Sequence, residues 1–143
     1  MSDEITPYQW LAAILRDEIQ SISDNLNSLS EGDLWAIGQE NGVLVLVNHV
    51  LTSSDDLVSV SSSFRDKLKM HALNAAANEL QQEHELRKAL TVIVDAGIPF
   101  LLMKGTPLGY SHYSQSYLRT RCDTDIIFAN REAAEEAWLL LKN

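Results

Sequence analysis

The chain has little of several things that would narrow its role. Among its 143 residues there is one cysteine, Cys122, so no internal disulfide can form and a reducing cytoplasm is the expected setting. Its apolar runs, such as Val43 to Val47, fall far short of the ~20 residues that a membrane-spanning helix needs. The opening MSDEITPYQW is acidic and has no basic stretch leading into an apolar one, so it does not read as a secretory signal. Positive charge is also scarce. The 11 Lys and Arg stand against 20 Asp and Glu, and a net charge of -9 argues against a protein that coats nucleic acid or anionic membrane through charge alone. The most telling absence is local: from Ala96 to Cys122 there is no Asp or Glu, while Lys104, Arg119 and Arg121 all fall there. A cationic segment inside an acidic protein suits a small anionic ligand held at one place.

What is present is ordinary in bulk. An apolar fraction of 45% and a charged fraction of 22% belong to a globular domain. The length suits one domain, or a small one with a helical extension, and is enough to bury a core without covalent staples. Thr6-Pro7 reads as a cap with proline at the first helical position, and Leu11, Leu15 and Ile19 then recur every four residues beside Trp10 and Ile14. Ser30 with Asp33 imitates a capping box for a second helix carrying Leu34, Trp35 and Ile37, which Gly42 ends. VLVLVNHVL, 43 to 51, fits either a buried strand or a buried helix, and its neighbours favour helix. TSSDDLVSVSSS, 52 to 63, is a serine-rich connector. Residues 64 to 96 lack both glycine and proline and keep Leu68, Ala72, Leu73, Ala76, Leu80, Leu86, Leu90, Ile93 and Val94 on a helical stripe, with NELQQEHELRK read as the solvated face. Gly97 stops that helix, with Pro99 beyond.

From Pro99 the period changes. PFLLM, 99 to 103, has strand length, KGTPLGYSHY is a glycine-bearing turn entering a short helix at Thr106-Pro107, and DIIF, 125 to 128, is a second strand. Asn130 then caps a helix over REAAEEAWLLLK with Ala134, Ala137, Trp138 and Leu141 on one side. The expected organisation is a helical region over 1–96, with the serine-rich linker near 52–63, and a partial α/β core over 97–143.

SYLRTRCDTDIIF, 116 to 128, carries the chemistry. On a strand, positions i and i+2 share a face, so Asp123 and Asp125 would stand side by side and repel unless a cation lies between them. Mg²⁺ suits that place because it takes hard oxygen ligands and completes its shell with water and phosphate. Arg119 and Arg121 would neutralise further phosphate charge. The plainer reading is a D-x-D that caps a strand and pairs with the arginines. In MKGTPLGY, the Gly105 and Thr106 amides at a helix start, with Lys104 beside them, would face a phosphate, although a simple turn explains the same residues. Cys122 lacks a second cysteine and reads as a strand or turn residue, and the four histidines have no zinc-like spacing. His112, Tyr110, Tyr113 and Tyr117 read as a loop packed on the core, with contact to a base or ribose as the other option.

The run from Asp95 to Phe128 resembles the uncharacterised nucleotidyltransferase family, whose members carry an aGI-P-x-LLKG-x-x-L stretch, a tyrosine-containing segment and R-x-x-x-D-x-D-hydrophobic. The matching positions are Gly97, Ile98, Lys104, Gly105, Leu108, Tyr113, Arg119, Asp123 and Asp125. The helical front half is also similar to the family's N-terminal region. The resemblance implies a polymerase-beta-like α/β (α+β) fold in which a helical region leads into the start of a mixed sheet with flanking helices. It implies that Gly105 and Thr106, with Lys104, take the phosphate turn, that Asp123 and Asp125 are the catalytic ligands of Mg²⁺ (or Mn²⁺), and that Arg119 is a phosphate or structural partner.

The implied activity is nucleotidyl transfer from a nucleoside triphosphate to an unidentified acceptor, with long nucleic acid a poor choice because of the acidic balance. A third carboxylate on a later strand is part of that pattern and is not among these residues. Catalysis is therefore expected where a longer chain or a partner supplies it, and the alternative is a truncated non-catalytic domain serving as a binding or interaction module. Two short strands make a marginal sheet, so further chain, or a second copy in a homo-oligomer, is expected to cover it. A purely helical interaction protein, with D-x-D only a strand cap, would show no metal-dependent nucleotide binding at all.

Overall fold

Helix punctuation in the sequence sets most of the architecture. The computed structural model describes residues 6–16, 30–53 and 60–142. Helix α1 spans Pro7–Leu15 and opens on a reciprocal capping box, in which Thr6 Oγ1 accepts from the Gln9 amide and Gln9 Oε1 accepts from the Thr6 amide. Ile19, expected on the same stripe, lies outside the described residues. Helix α2, Glu31–Glu40, is capped by Ser30 Oγ accepting from the Gly32 amide. It ends in a Schellman turn, with Gly42 at φ 66 and the Val43 amide donating to Gly38 O. The ambiguous VLVLVNHVL is helix α3, Leu44–Ser53. Of the serine-rich connector, 54–59 lie outside the described residues, and helix α4 begins at Ser62 and runs to Asp95. It closes on a second Schellman turn, with Gly97 at φ 70 and the Ile98 amide on Ile93 O.

The chain is α+β, and it divides into two compact units, 1–75 and 76–143. In the first, α1, α2, α3 and the beginning of α4 enclose Trp10, Ile14, Leu34, Leu44, Val47 and Leu68. Each such side chain withdrawn from water contributes about 1.5–3 kcal/mol. Gly38 lets α2 approach α3, since a Cβ there would meet Leu44 Cδ2 at 2.6 Å. Both oxygens of the Glu31 carboxylate accept from Ser61, one from its amide and one from its hydroxyl, each at 2.7 Å, and Ser61 Oγ in turn accepts from the Phe64 amide. Trp35 completes this unit with its ring edge-on to Phe64 and Lys67 Nζ 3.8 Å from its centroid.

In the second unit, strands β1 (Phe100–Met103) and β2 (Asp125–Phe128) pair antiparallel, with Phe100 opposite Phe128 and Met103 opposite Asp125. Between them lie helix α5, Gly105–His112, and one 3-10 turn at Ser116–Leu118. Alternation along the strands turns Phe100, Ile126 and Phe128 toward Ile93, Ile98 and Ala137, while Leu101, Met103 and Ile127 stay exposed. Helix α6, Arg131–Leu141, is capped by Asn130 Oδ1 accepting from the Ala133 amide. It packs its alanine face inward, so Ala137 is buried and Ala133 lies against the same cluster, while Trp138 is 66% exposed. No helix among the described residues is long and apolar enough to cross a membrane.

Candidate functional site

The step from β1 into α5 takes a single residue. Lys104 makes it at φ 56, ψ -120, a conformation that costs a non-glycine residue about 1–3 kcal/mol. Because Met103 is paired with Asp125, the next residue is delivered beside that carboxylate, and Lys104 Nζ lies 3.1 Å from Asp125 Oδ2. Both side chains are well exposed, so the pair itself contributes at most about 1 kcal/mol. The amides of Gly105 and Thr106 open α5 and have no partner within a helix. Arg119 covers that opening: a Cβ on Gly105 would sit 3.7 Å from Arg119 Nε and 3.8 Å from Nη2. Arg119 Nε is buried and has no hydrogen-bond acceptor among the described residues. Lys104, Gly105, Arg119 and Asp125 therefore form one corner, with cationic groups and unpaired donors at a helix N-terminus.

Behind this corner lies a buried ion pair. The guanidinium of Arg121 has five N–H donors, and every one is used. Nε donates to Glu79 Oε2 at 3.1 Å and Nη2 to Glu79 Oε1 at 3.1 Å. Nη1 donates to Thr124 Oγ1 at 2.8 Å and Thr106 Oγ1 at 3.1 Å, and Nη2 also reaches Tyr110 OH at 3.4 Å. Thr106 Oγ1 donates onward to Thr124 Oγ1, and Tyr110 OH to Glu79 Oε1. The two charged side chains are 6% and 7% exposed. Partial burial, and then the Glu79 carboxylate, hold the Tyr110 phenol above its ordinary pKa. The sequence suggests Arg121 as a second phosphate ligand, but with its donors saturated it acts as a clamp. It fastens Thr106, in the α5 turn, to Thr124, between the two aspartates.

Asp123 precedes β2, so strand alternation does not extend to it, and it is exposed. It lines a cleft of ≈ 580 Å³ that opens on one flank of α4, together with Gln81, Glu85, Leu86, Ala89 and Ile126. Asp125 faces Lys104 instead. Cys122 is free and exposed on the same cleft. The Thr106 side chain is buried, which leaves its backbone amide as the group able to meet a ligand. Glu79 was hidden in what reads as a solvated helical face. The available signal was its heptad spacing with Ala72, Leu86 and Ile93, which puts an acid on the apolar stripe.

Two carboxylates are the only metal-ligand side chains that the D-x-D segment itself supplies. Asp123 and Asp125 offer only carboxylate oxygens, and no group of three or more His, Cys, Asp and Glu forms a ready cage among the described residues. One or two carboxylates completed by water and substrate phosphate is the usual Mg²⁺ arrangement.

An α+β chain with a strand–glycine turn–helix unit, followed by a strand headed by D-x-D, has the local order of a nucleotidyltransferase core. Residues 27–143 match the sequence profile of the uncharacterised nucleotidyltransferase family, and the chain belongs to that family. No curated protein and no solved structure matches it.

Proposed function

We propose that the chain binds a nucleoside triphosphate with Mg²⁺ at the corner formed by Lys104, the α5 N-terminus, Arg119 and Asp125, and serves in nucleotidyl transfer to an acceptor. The observation that carries this is the unpaired buried Nε of Arg119 beside the opening amides of α5. A buried donor without an acceptor is costly, and an anion satisfies it together with the helix end.

Asp123 and Asp125 hold the metal in this reading, which neutralises phosphate charge when bound. Binding moves Lys104 Nζ from Asp125 to phosphate, an exchange that costs little because the pair is exposed. The clamp built on Arg121 keeps the turn and the aspartate segment in register. In the transfer itself an acceptor oxygen bonds to the α-phosphorus as the bond to the bridging oxygen breaks and pyrophosphate leaves. The acceptor proton goes to a base that lies outside the residues assigned here, a role that suits the family's third carboxylate.

Calorimetric titration with ATP and GTP, each with and without Mg²⁺, tests the proposal. Binding that requires the metal supports it, and absence of binding by either nucleotide in the presence of Mg²⁺ contradicts it.

A further inference from the structure

The cleft beside Asp123 offers phosphate no cationic side chain. Its charged lining residues are Glu85 and Asp123, both acidic, and it contains no lysine, arginine or histidine. A polyphosphate lying in it would meet Glu85 and no cation, whereas Lys104 and Arg119 are not among its lining residues. The cleft suits a different kind of group. Leu86, Ala89 and Ile126 give it apolar walls. Asn78 and Gln81 add carboxamides, each with both donors and an acceptor. The neighbouring Gln82 is held in place, its amide donating to Arg121 O at 3.3 Å.

Apolar walls with donor and acceptor groups at the edge complement a flat heteroaromatic ring with a polar rim, as carboxamides do when they read adenine. The volume of ≈ 580 Å³ lies within the usual range for small-molecule sites. The cleft is also tied to the phosphate corner. Thr124 lines it, and its hydroxyl is bonded to Thr106, in the α5 turn, at 3.2 Å.

We propose that this cleft binds the nucleobase of the nucleotide, with Asn78 and Gln81 contacting its polar edge. The inference rests on the functional reading given above, which places the phosphates at Lys104, Gly105 and Arg119. Asp123, a metal ligand in that reading, lines the cleft and stands at its border with the metal and phosphates.

The test compares Mg²⁺-ATP with Mg²⁺-tripolyphosphate, which carries phosphates and no base. Both are titrated into the wild-type chain, into Ala89→Trp, which fills the cleft, and into Gln81→Ala, an exposed helical substitution that leaves folding intact; circular dichroism confirms the fold of each. Ala89→Trp is expected to weaken ATP at least about tenfold and Gln81→Ala about threefold, differences that calorimetry resolves easily. Tripolyphosphate affinity is expected to stay unchanged in both variants. As an independent readout, ATP should slow alkylation of Cys122 by iodoacetamide while tripolyphosphate does not. Retained tripolyphosphate binding with ATP affinity unaltered in both variants would overturn the base site alone. Failure of the wild-type chain to bind tripolyphosphate would remove the phosphate corner, and the base site with it.

Discussion

The two units bury different kinds of matter. Residues 1–75 enclose Trp10, Ile14, Leu34, Leu44, Phe64 and Leu68, a cluster of apolar side chains. Residues 76–143 have a small apolar cluster around Ile93, Ile98 and Ala137 and, besides it, the Glu79–Arg121 pair with its three hydroxyl partners. Apolar packing accepts exchanges of similar volume at modest cost. A saturated guanidinium does not, because each of its bonds has a direction. The first unit thus holds its shape through area removed from water, while the second fixes the positions of particular atoms, and those atoms border the candidate site.

The comparison predicts its largest effect at the ion pair. Arg121→Met leaves the buried Glu79 carboxyl without its cationic partner, and is expected to cost about 3–5 kcal/mol in urea unfolding. Adding Glu79→Leu should restore most of that loss, since an apolar pair can replace a buried salt bridge. Mg²⁺-ATP affinity should stay low in the double variant, because Thr106 and Thr124 have lost their shared donor. Full recovery of binding would mean that the network only stabilises the fold. In the first unit Leu68→Ala should cost about 2–5 kcal/mol, yet leave ATP affinity unchanged when measured well below its melting temperature.

A smaller effect belongs to Tyr110. Its raised phenol pKa means that the folded state keeps a proton which the unfolded chain gives up near pH 10, so the folded state binds more protons and stability falls as pH rises. The contribution is full below the unfolded value and disappears as pH passes the folded one. Tyr110→Phe should cost about 0.5–1 kcal/mol at neutral pH through the lost bond to Glu79, and should flatten the alkaline decline seen in melts between pH 9 and 12. Smallest of all, Lys104→Gly relieves the positive φ and should raise stability by up to about 1 kcal/mol. The same change removes a phosphate cation and should weaken ATP, which separates stability from binding at a single residue.

Much of this fold was legible because its punctuation is local. The caps at Thr6, Ser30 and Asn130 and the stops at Gly42 and Gly97 each rest on bonds spanning a few residues. For α3 the buried positions Leu44, Val47 and Leu51 follow helical spacing rather than alternation, a distinction the run of valines and leucines obscures. Both strands fell where the period changed. The corner at Lys104, Gly105, Arg119 and Asp125 was legible from the spacing of the family pattern. The clamp was not, because Glu79 and Arg121 are 42 residues apart and each has a common surface role. The apolar face of α6 suits Trp138 to the core or to an interface, and the structure packs the flat alanine side on the sheet, leaving the tryptophan exposed. The pairing of Asp123 with Asp125 assumed a strand that begins only at Asp125.

In the proposed function Asp123 and Asp125 make nucleotide binding depend on a metal. The most direct measurement is calorimetric titration of Asp123→Asn with Asp125→Asn, with ATP in Mg²⁺ and in EDTA, beside the wild-type chain. Wild type is expected to bind only with Mg²⁺, and the double variant to lose this dependence while its helical circular dichroism is preserved. Any weak binding the variant retains, through Arg119 and through Lys104 freed of its pairing with Asp125, should be the same in Mg²⁺ and EDTA. Wild-type binding indifferent to EDTA, or Mg²⁺-dependent binding that survives loss of both carboxylates, would contradict that proposal.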